Sequence, residues 1–141
     1  MSMNNVNIPV IEWDIQTAID FFGRNRISWD HEYNWVKIDK FPLPPSCNMK
    51  SSDILIGVPS GFGFGAKYYE EAYLDSKLKV RNSSGKFVHL PHFFQKNVHT
   101  DTSYQNLGWG WICIKTKTKS LLSFMRALEQ FLMFPLEEKM V

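Results

Sequence analysis

The chain has 141 residues, of which 44% are hydrophobic and 15% aromatic, and its formal net charge is +2. This length predicts a single domain, 1–141, with a core over about 14–134. The apolar content is too high for a disordered protein. The small net charge does not indicate nucleic acid or an anionic membrane as a partner. Two cysteines are too few for a disulfide framework and favour a reducing compartment.

No targeting or membrane segment is expected. The stretch from Met1 to Asn7 is polar and lacks the apolar run of a secretory signal. The densest apolar stretches, Trp109–Ile114 and Phe131–Leu136, are much shorter than the ~20 residues that a membrane helix needs. We therefore expect a cytoplasmic protein.

Two helices are predicted, one near each end of the chain. The first runs from about Asp14, as its N-cap, to Phe22, and Gly23 ends it. The second runs over Ser120–Phe134 with Ser120 as its N-cap. Apolar residues at helical spacing form one wide stripe along this second helix: Leu121, Leu122, Phe124, Met125, Leu128, Phe131 and Leu132.

Short strands are predicted between the helices, without alternating strand–helix units. The segments are Trp35–Ile38, Asp53–Val58 and Glu71–Leu74, a fourth that begins at Phe87–Leu90, and Trp109–Ile114 as a strand or extended segment. Prolines at 42, 44 and 45 end the first strand, because proline cannot donate to a ladder. This order predicts an α+β fold, in which the two helices cover one face of a short antiparallel sheet of about four strands.

A glycine-rich segment and a set of histidines each suggest a ligand site. The segment Gly61–Gly65 follows a strand, but a phosphate-binding loop needs a Gly-Lys-Ser/Thr sequence that opens a helix, so we predict a turn between strands. Four potential zinc ligands are present, namely His89, His92, His99 and Cys113. The paired Cys-x-x-Cys half of a zinc site is missing, and we predict neither a metal nor a cofactor.

Cys113 is the candidate nucleophile. It precedes three lysines, Lys115, Lys117 and Lys119, and nearby positive charge lowers the pKa of a thiol. A lone cysteine between apolar neighbours is nevertheless more often a small buried residue. Cys47 follows Pro-Pro-Ser with no basic run beside it, and we interpret it as an exposed loop cysteine.

The segment around Cys113 resembles the active-site segment of ubiquitin-conjugating enzymes. There too, a Gly-x-Ile-Cys-Leu stretch precedes a helix that begins with serine, as Gly-Trp-Ile-Cys-Ile precedes Ser120 here. Upstream, Phe41–Pro45, Ser52–Pro59 and Ala72–Asp75 are similar to the motifs of one bacterial branch, found in operons for ubiquitin-like conjugation that are implicated in antiphage defence. The resemblance covers Trp35 to Met133 and implies a UBC-like fold.

The resemblance also implies a reaction. Cys113 would accept a ubiquitin-like protein from its activating enzyme as a thioester, and pass it to an amine on a protein target. The family's His-Pro-Asn tripeptide is absent before Cys113, so Asn106 is the expected oxyanion donor, with His99 behind it. Asp101 is the nearest acidic residue along the chain that would assist the incoming amine.

Two other functions remain open from the sequence. The first is a non-catalytic UBC-like module that binds a ubiquitin-like protein or its activating enzyme, and the missing tripeptide favours it. The second is a small-ligand-binding α+β protein, which the aromatic content would fit without any motif that points to it.

Overall fold

The computed structural model describes residues 4–90, 93–96 and 108–133. It contains two helices and eight strands over these residues. In chain order they are α1 (Ile8–Phe22), β1 (Ile27–Trp29), β2 (Trp35–Pro42), β3 (Ser51–Gly57), β4 (Tyr69–Asp75), β5 (Lys79–Arg81), β6 (Phe87–His89), β7 (Phe94–Lys96), β8 (Trp109–Thr118) and α2 (Leu121–Met133). A single 3-10 turn, Arg24–Arg26, joins α1 to β1.

Six of the strands form one antiparallel sheet in the order β1-β2-β3-β4-β8-β7. The first four follow one another as a meander, and β8 then pairs with the free side of β4. Strands β5 and β6 form a separate two-stranded hairpin. The expected antiparallel sheet is therefore confirmed, but the expected number of about four strands is wrong. Phe87–His89 belongs to the hairpin rather than to the main sheet.

Both helices pack against one face of this sheet, as predicted. The side chains that alternate towards the helices are buried in one apolar cluster, which includes Val36, Ile38, Ile54, Ile56, Ala72, Leu74 and Ile112. The intervening residues point to the opposite face. The core thus lies between the sheet and the two helices, which defines an α+β architecture.

Helix α1 begins six residues before the predicted start, at Ile8 instead of Asp14. Pro9 lies in the first turn, where its missing N–H costs no hydrogen bond and its fixed φ suits the helix. Asp14 is therefore not an N-cap but a buried residue in the middle of α1. The predicted end is confirmed, because Gly23 follows Phe22 with φ +102°.

Asp14 connects α1 to two other elements inside the core. The Tyr69 hydroxyl, from β4, donates a 2.6 Å hydrogen bond to Asp14 Oδ2. The backbone N–H of Leu121, the first residue of α2, lies 3.0 Å from Asp14 Oδ2 and 3.3 Å from Oδ1. The carboxylate thus accepts at a helix N-terminus, where the unpaired N–H groups and the helix dipole favour negative charge.

Helix α2 confirms the prediction from the apolar stripe. Its buried residues are Leu121, Phe124, Met125, Leu128 and Leu132. Ser120 is the predicted N-cap, and its Oγ accepts from the backbone N–H of Ser123 at 3.3 Å. Over the described part of the chain, no helix is long and apolar enough to cross a membrane.

Candidate functional site

Cys113 lies within β8, on the face of the sheet that points away from both helices. Its neighbour Ile112 is buried in the core, and side chains alternate along a strand, so the Cys113 thiol points outwards. The thiol is free and exposed. A reagent or a macromolecular substrate in solvent can therefore reach this sulfur.

The strand is irregular immediately after Cys113. Cys113 is opposite Glu71 on β4, and the next pair along is Thr118 with Tyr69. Four residues of β8, 114–117, are consequently opposite the single residue Glu70, so β8 bulges at this point. Within the bulge, Lys117 has a φ of +53°, in a region that residues other than glycine seldom adopt. Such bulges re-aim side chains and are frequent beside active sites.

The charges around Cys113 differ from the sequence-based expectation. The pKa of the Cys113 thiol is raised above its usual 9.0, first by desolvation and then by the Glu70 carboxylate. Lys115 lowers the pKa and Glu71 raises it, and each of these two effects is smaller than that of Glu70. The prediction that the following lysines lower the thiol pKa is therefore wrong in its net direction. The acidic pair on β4 outweighs the lysine that is close enough to act.

Glu70 and Glu71 are the site residues that sequence reasoning missed. Because of the bulge, both point away from the core, and Glu71 is the cross-strand partner of Cys113. They also line a cavity of about 120 Å³, together with Tyr68 and the segment 57–59. In the sequence they lie about forty positions before Cys113, and the pairing of β4 with β8 brings them next to it.

Three predicted site residues lie outside the described residues: Asn106, His99 and Asp101. The same holds for His92 of the potential zinc set. His89 lies exposed on β6, in the hairpin, whereas Cys113 belongs to the main sheet. The assignments of Asn106, His99 and Asp101 stay predictions.

Cys47 is not the exposed loop cysteine that the sequence suggested. It is only 7% exposed, and it forms an isolated β-bridge with Val80 of the hairpin. Burial raises the pKa of its thiol. Cys47 therefore packs as a small apolar residue beneath the hairpin, which leaves Cys113 as the accessible thiol of the two.

The glycine-rich segment forms the predicted connection between strands. It lies between β3 and β4, and Gly61, Gly63 and Gly65 all have positive φ values. At Gly63 a Cβ atom would lie only 2.5 Å from the Cβ of Asn7, so a side chain there would collide with the start of α1. Glycine at this position therefore allows the backbone of the segment to pack closely against the start of α1.

Comparison with protein-family models, with curated proteins and with solved structures found no match for this chain.

Proposed function

We propose that this chain is a ubiquitin-conjugating-like enzyme of bacterial antiphage defence. In this proposal, Cys113 accepts a ubiquitin-like protein as a thioester and passes it to an amine on a protein target. The observation that carries the proposal is the free, exposed thiol at the last paired position of β8 before the bulge. A macromolecular carboxyl group can be transferred only to a sulfur that faces solvent, and the buried Cys47 does not meet this condition.

The reaction consists of two acyl transfers. In the first, the Cys113 thiolate attacks the thioester carbonyl on the activating enzyme, a new C–S bond forms, and the activating enzyme's thiolate leaves. In the second, the target amine attacks, a C–N bond forms, and the Cys113 thiolate leaves. A raised thiol pKa reduces the fraction of thiolate, but the thiolate that does form is the stronger nucleophile.

Glu70 and Glu71 have a role in the second transfer. Their carboxylates lie close enough to affect the pKa of Cys113, so they also act on an amine that approaches its sulfur. They attract a protonated lysine side chain and can accept the proton that it loses on attack. The sequence predicts this role for Asp101, and we propose the pair on β4 for it as well.

The second candidate function is a non-catalytic UBC-like module that binds a ubiquitin-like protein or its activating enzyme. The same acidic pair favours it, because carboxylates next to a thiol disfavour the thiolate that the first transfer needs. The two candidates share partners and differ only in whether a thioester forms.

The deciding experiment incubates the protein with ATP and with the activating enzyme and ubiquitin-like protein of the same genome, followed by a non-reducing gel. We expect a loaded band that disappears with reducing agent and with Cys113→Ala, while the matched control Cys47→Ala keeps it. Cys113→Ser should form a more stable oxyester. Loading that is lost in Cys47→Ala but kept in Cys113→Ala would reject the assignment. No loading, with modifier binding that survives Cys113→Ala, would favour the module.

A further inference from the structure

One flank of α1, next to its buried side, carries an exposed apolar stripe. Val10, Trp13 and Phe21 form it together with the half-buried Thr17, and the four residues follow one another at intervals of three and four. Trp13 is 72% exposed, Phe21 68% and Val10 40%. We call this set the α1 stripe. Two large aromatic side chains on one solvent-facing helix side are unusual for a surface that stays in water.

The glycine-rich segment lengthens the stripe at its N-terminal end. The backbone N–H of Asn7 donates to the carbonyl of Phe62 at 2.8 Å, which fastens the segment to the start of α1. A Cβ atom at Gly63 would lie 3.2 Å from the Cβ of Val10. The next residue, Phe64, is 54% exposed and thus continues the apolar surface beyond Val10.

The spacing within the stripe is symmetric about Thr17. Trp13 lies four residues before Thr17 and Phe21 four residues after it, each about 6 Å along the helix axis. If two copies of α1 pack antiparallel about a two-fold axis at Thr17, Trp13 of each copy faces Phe21 of the other. This self-complementarity is what a two-fold interface requires. We infer that the α1 stripe binds the α1 stripe of a second copy of this chain.

Thr17, at the point where the two α1 helices would cross, allows the helices to pack closely. Thr17 is small enough for helix axes to approach within about 8–10 Å. Its hydroxyl already donates to the carbonyl of Trp13 at 3.0 Å, so burial leaves it with a partner. The dimer therefore buries no unpaired polar group at its centre.

The charged residues near the stripe are compatible with this pairing. Glu12 accepts from the Tyr33 hydroxyl at 2.6 Å, and Asp20 accepts from the Gln16 amide at 2.9 Å. Arg24 follows the C-terminal end of the stripe and is exposed. In the antiparallel arrangement it faces the end of the partner that carries Val10 and Phe64. Its guanidinium already lies over the Trp29 ring of its own chain, 5.1 Å from the ring centroid, and the pairing brings an apolar surface rather than another cation towards it.

The area of the patch indicates a weak dimer. At about 150–250 Å² for each aromatic side chain, Trp13, Phe21 and Phe64 expose about 400 Å² per copy. Two copies would bury about 800 Å² from these aromatics, which is less than the ~1,200 Å² where stable interfaces begin. A weak, concentration-dependent equilibrium between monomer and dimer is therefore expected. The inference does not depend on the proposed function.

The first test is sedimentation equilibrium of the full chain over a wide range of protein concentration. We expect a reversible dimer whose association constant falls at least tenfold in Trp13→Glu and in Phe21→Glu. Phe87→Glu is the matched control, because Phe87 is a 42% exposed phenylalanine on the hairpin, and it should leave association unchanged. A monomer at all concentrations, or a dimer that survives both α1 substitutions, overturns the inference.

The second test locates the two-fold axis. In a Cys113→Ser background, Thr17→Cys should form a disulfide-linked dimer under mild oxidation, since the two copies of this position meet at the axis. Asp20→Cys should not, because its two copies would lie about 9 Å apart along the axes. Circular dichroism shows that each variant is folded. A disulfide-linked dimer of Asp20→Cys but not of Thr17→Cys would contradict the antiparallel pairing. Binding of the α1 stripe to a different protein, without self-association, would contradict the proposed partner.

Discussion

The hydroxyl of Tyr69 and the carboxylate of Asp14 lie 2.6 Å apart inside the core, 55 positions apart in the chain. The two residues join the sheet to α1, and the same carboxylate accepts from the N-terminus of α2. Burial and the nearby Asp14 charge raise the pKa of Tyr69, which therefore stays protonated and remains the donor. This contact therefore holds α1, the sheet and α2 in one arrangement.

Tyr69→Phe should lower the free energy of unfolding by about 1–3 kcal/mol at pH 7, because it leaves a buried carboxylate with one donor fewer. Urea denaturation followed by circular dichroism measures the loss. Tyr68→Phe is the control, since the neighbouring Tyr68 is half-buried and its ring contact with Lys119 does not need a hydroxyl. A loss below about 0.5 kcal/mol in Tyr69→Phe would show that the contact is dispensable.

Asp14 should make stability depend on pH. Burial raises the pKa of this carboxyl above its ordinary 3.8, against the opposing hydrogen bonds from Tyr69 and Leu121. The folded protein then holds the proton at pH values where the unfolded chain has released it. The contribution of Asp14 to the free energy of unfolding therefore falls as the pH rises from about 3.8 through the folded pKa.

Asp14→Asn should remove this dependence. The stability of the wild type relative to Asp14→Asn should fall as the pH rises across that window, in urea titrations at a series of pH values. Asp20→Asn, on the exposed side of the same helix, serves as the matched control for the substitution. A constant difference between wild type and Asp14→Asn at every pH would contradict the raised pKa.

Leu128→Ala should cost about 2–5 kcal/mol, because Leu128 is fully buried between α2 and the sheet and its truncation leaves a cavity. Chemical denaturation gives the number. Met133→Ala, on the same helix at a position 43% exposed, should cost much less. Equal losses in the two variants would mean that α2 does not use the predicted apolar side for packing.

The two cysteines should differ in reactivity. Under native conditions iodoacetamide should alkylate Cys113 and spare Cys47, and both should react in urea, as counted by mass spectrometry. The rate at Cys113 should still rise above pH 9, since the thiol pKa is raised.

The acidic neighbour of Cys113 provides a further check on that reactivity. Glu70→Gln should accelerate alkylation at pH 8, because it removes a charge that disfavours the thiolate. Glu129→Gln, on α2, should not. If Glu70→Gln slowed the reaction, the assigned electrostatics of the site would be wrong.

Local patterns predicted the parts of the fold that local forces determine. The Ser120 cap and the buried side of α2 follow from the nearest turns of the chain, and the strands β2 and β3 follow from apolar runs between turns. Asp14 misled the prediction because the same residue type serves as a cap and, here, as a buried acceptor for another helix. Its true role depends on Tyr69 and Leu121, which lie far along the chain.

The surroundings of Cys113 escaped prediction for a related reason. The basic run after the cysteine was visible in the sequence, while Glu70 and Glu71 become its neighbours only when β4 pairs with β8. No periodicity in either segment specifies that partner. The burial of Cys47 likewise requires the hairpin to fold over it, through the bridge to Val80.

The pairing of Asp75 with Trp109 closes a loop of more than thirty residues, whereas the strands from β1 to β4 are joined by short connections. Loop closure costs chain entropy before any contact offsets it, so contacts between distant segments slow folding. We therefore expect the meander to assemble first, and the last strand and α2 to dock onto it afterwards. In pulsed hydrogen exchange, amides of β2 and β3 should gain protection before those of β8. The thiol of Cys113 would then remain in a non-native environment until the final step of folding.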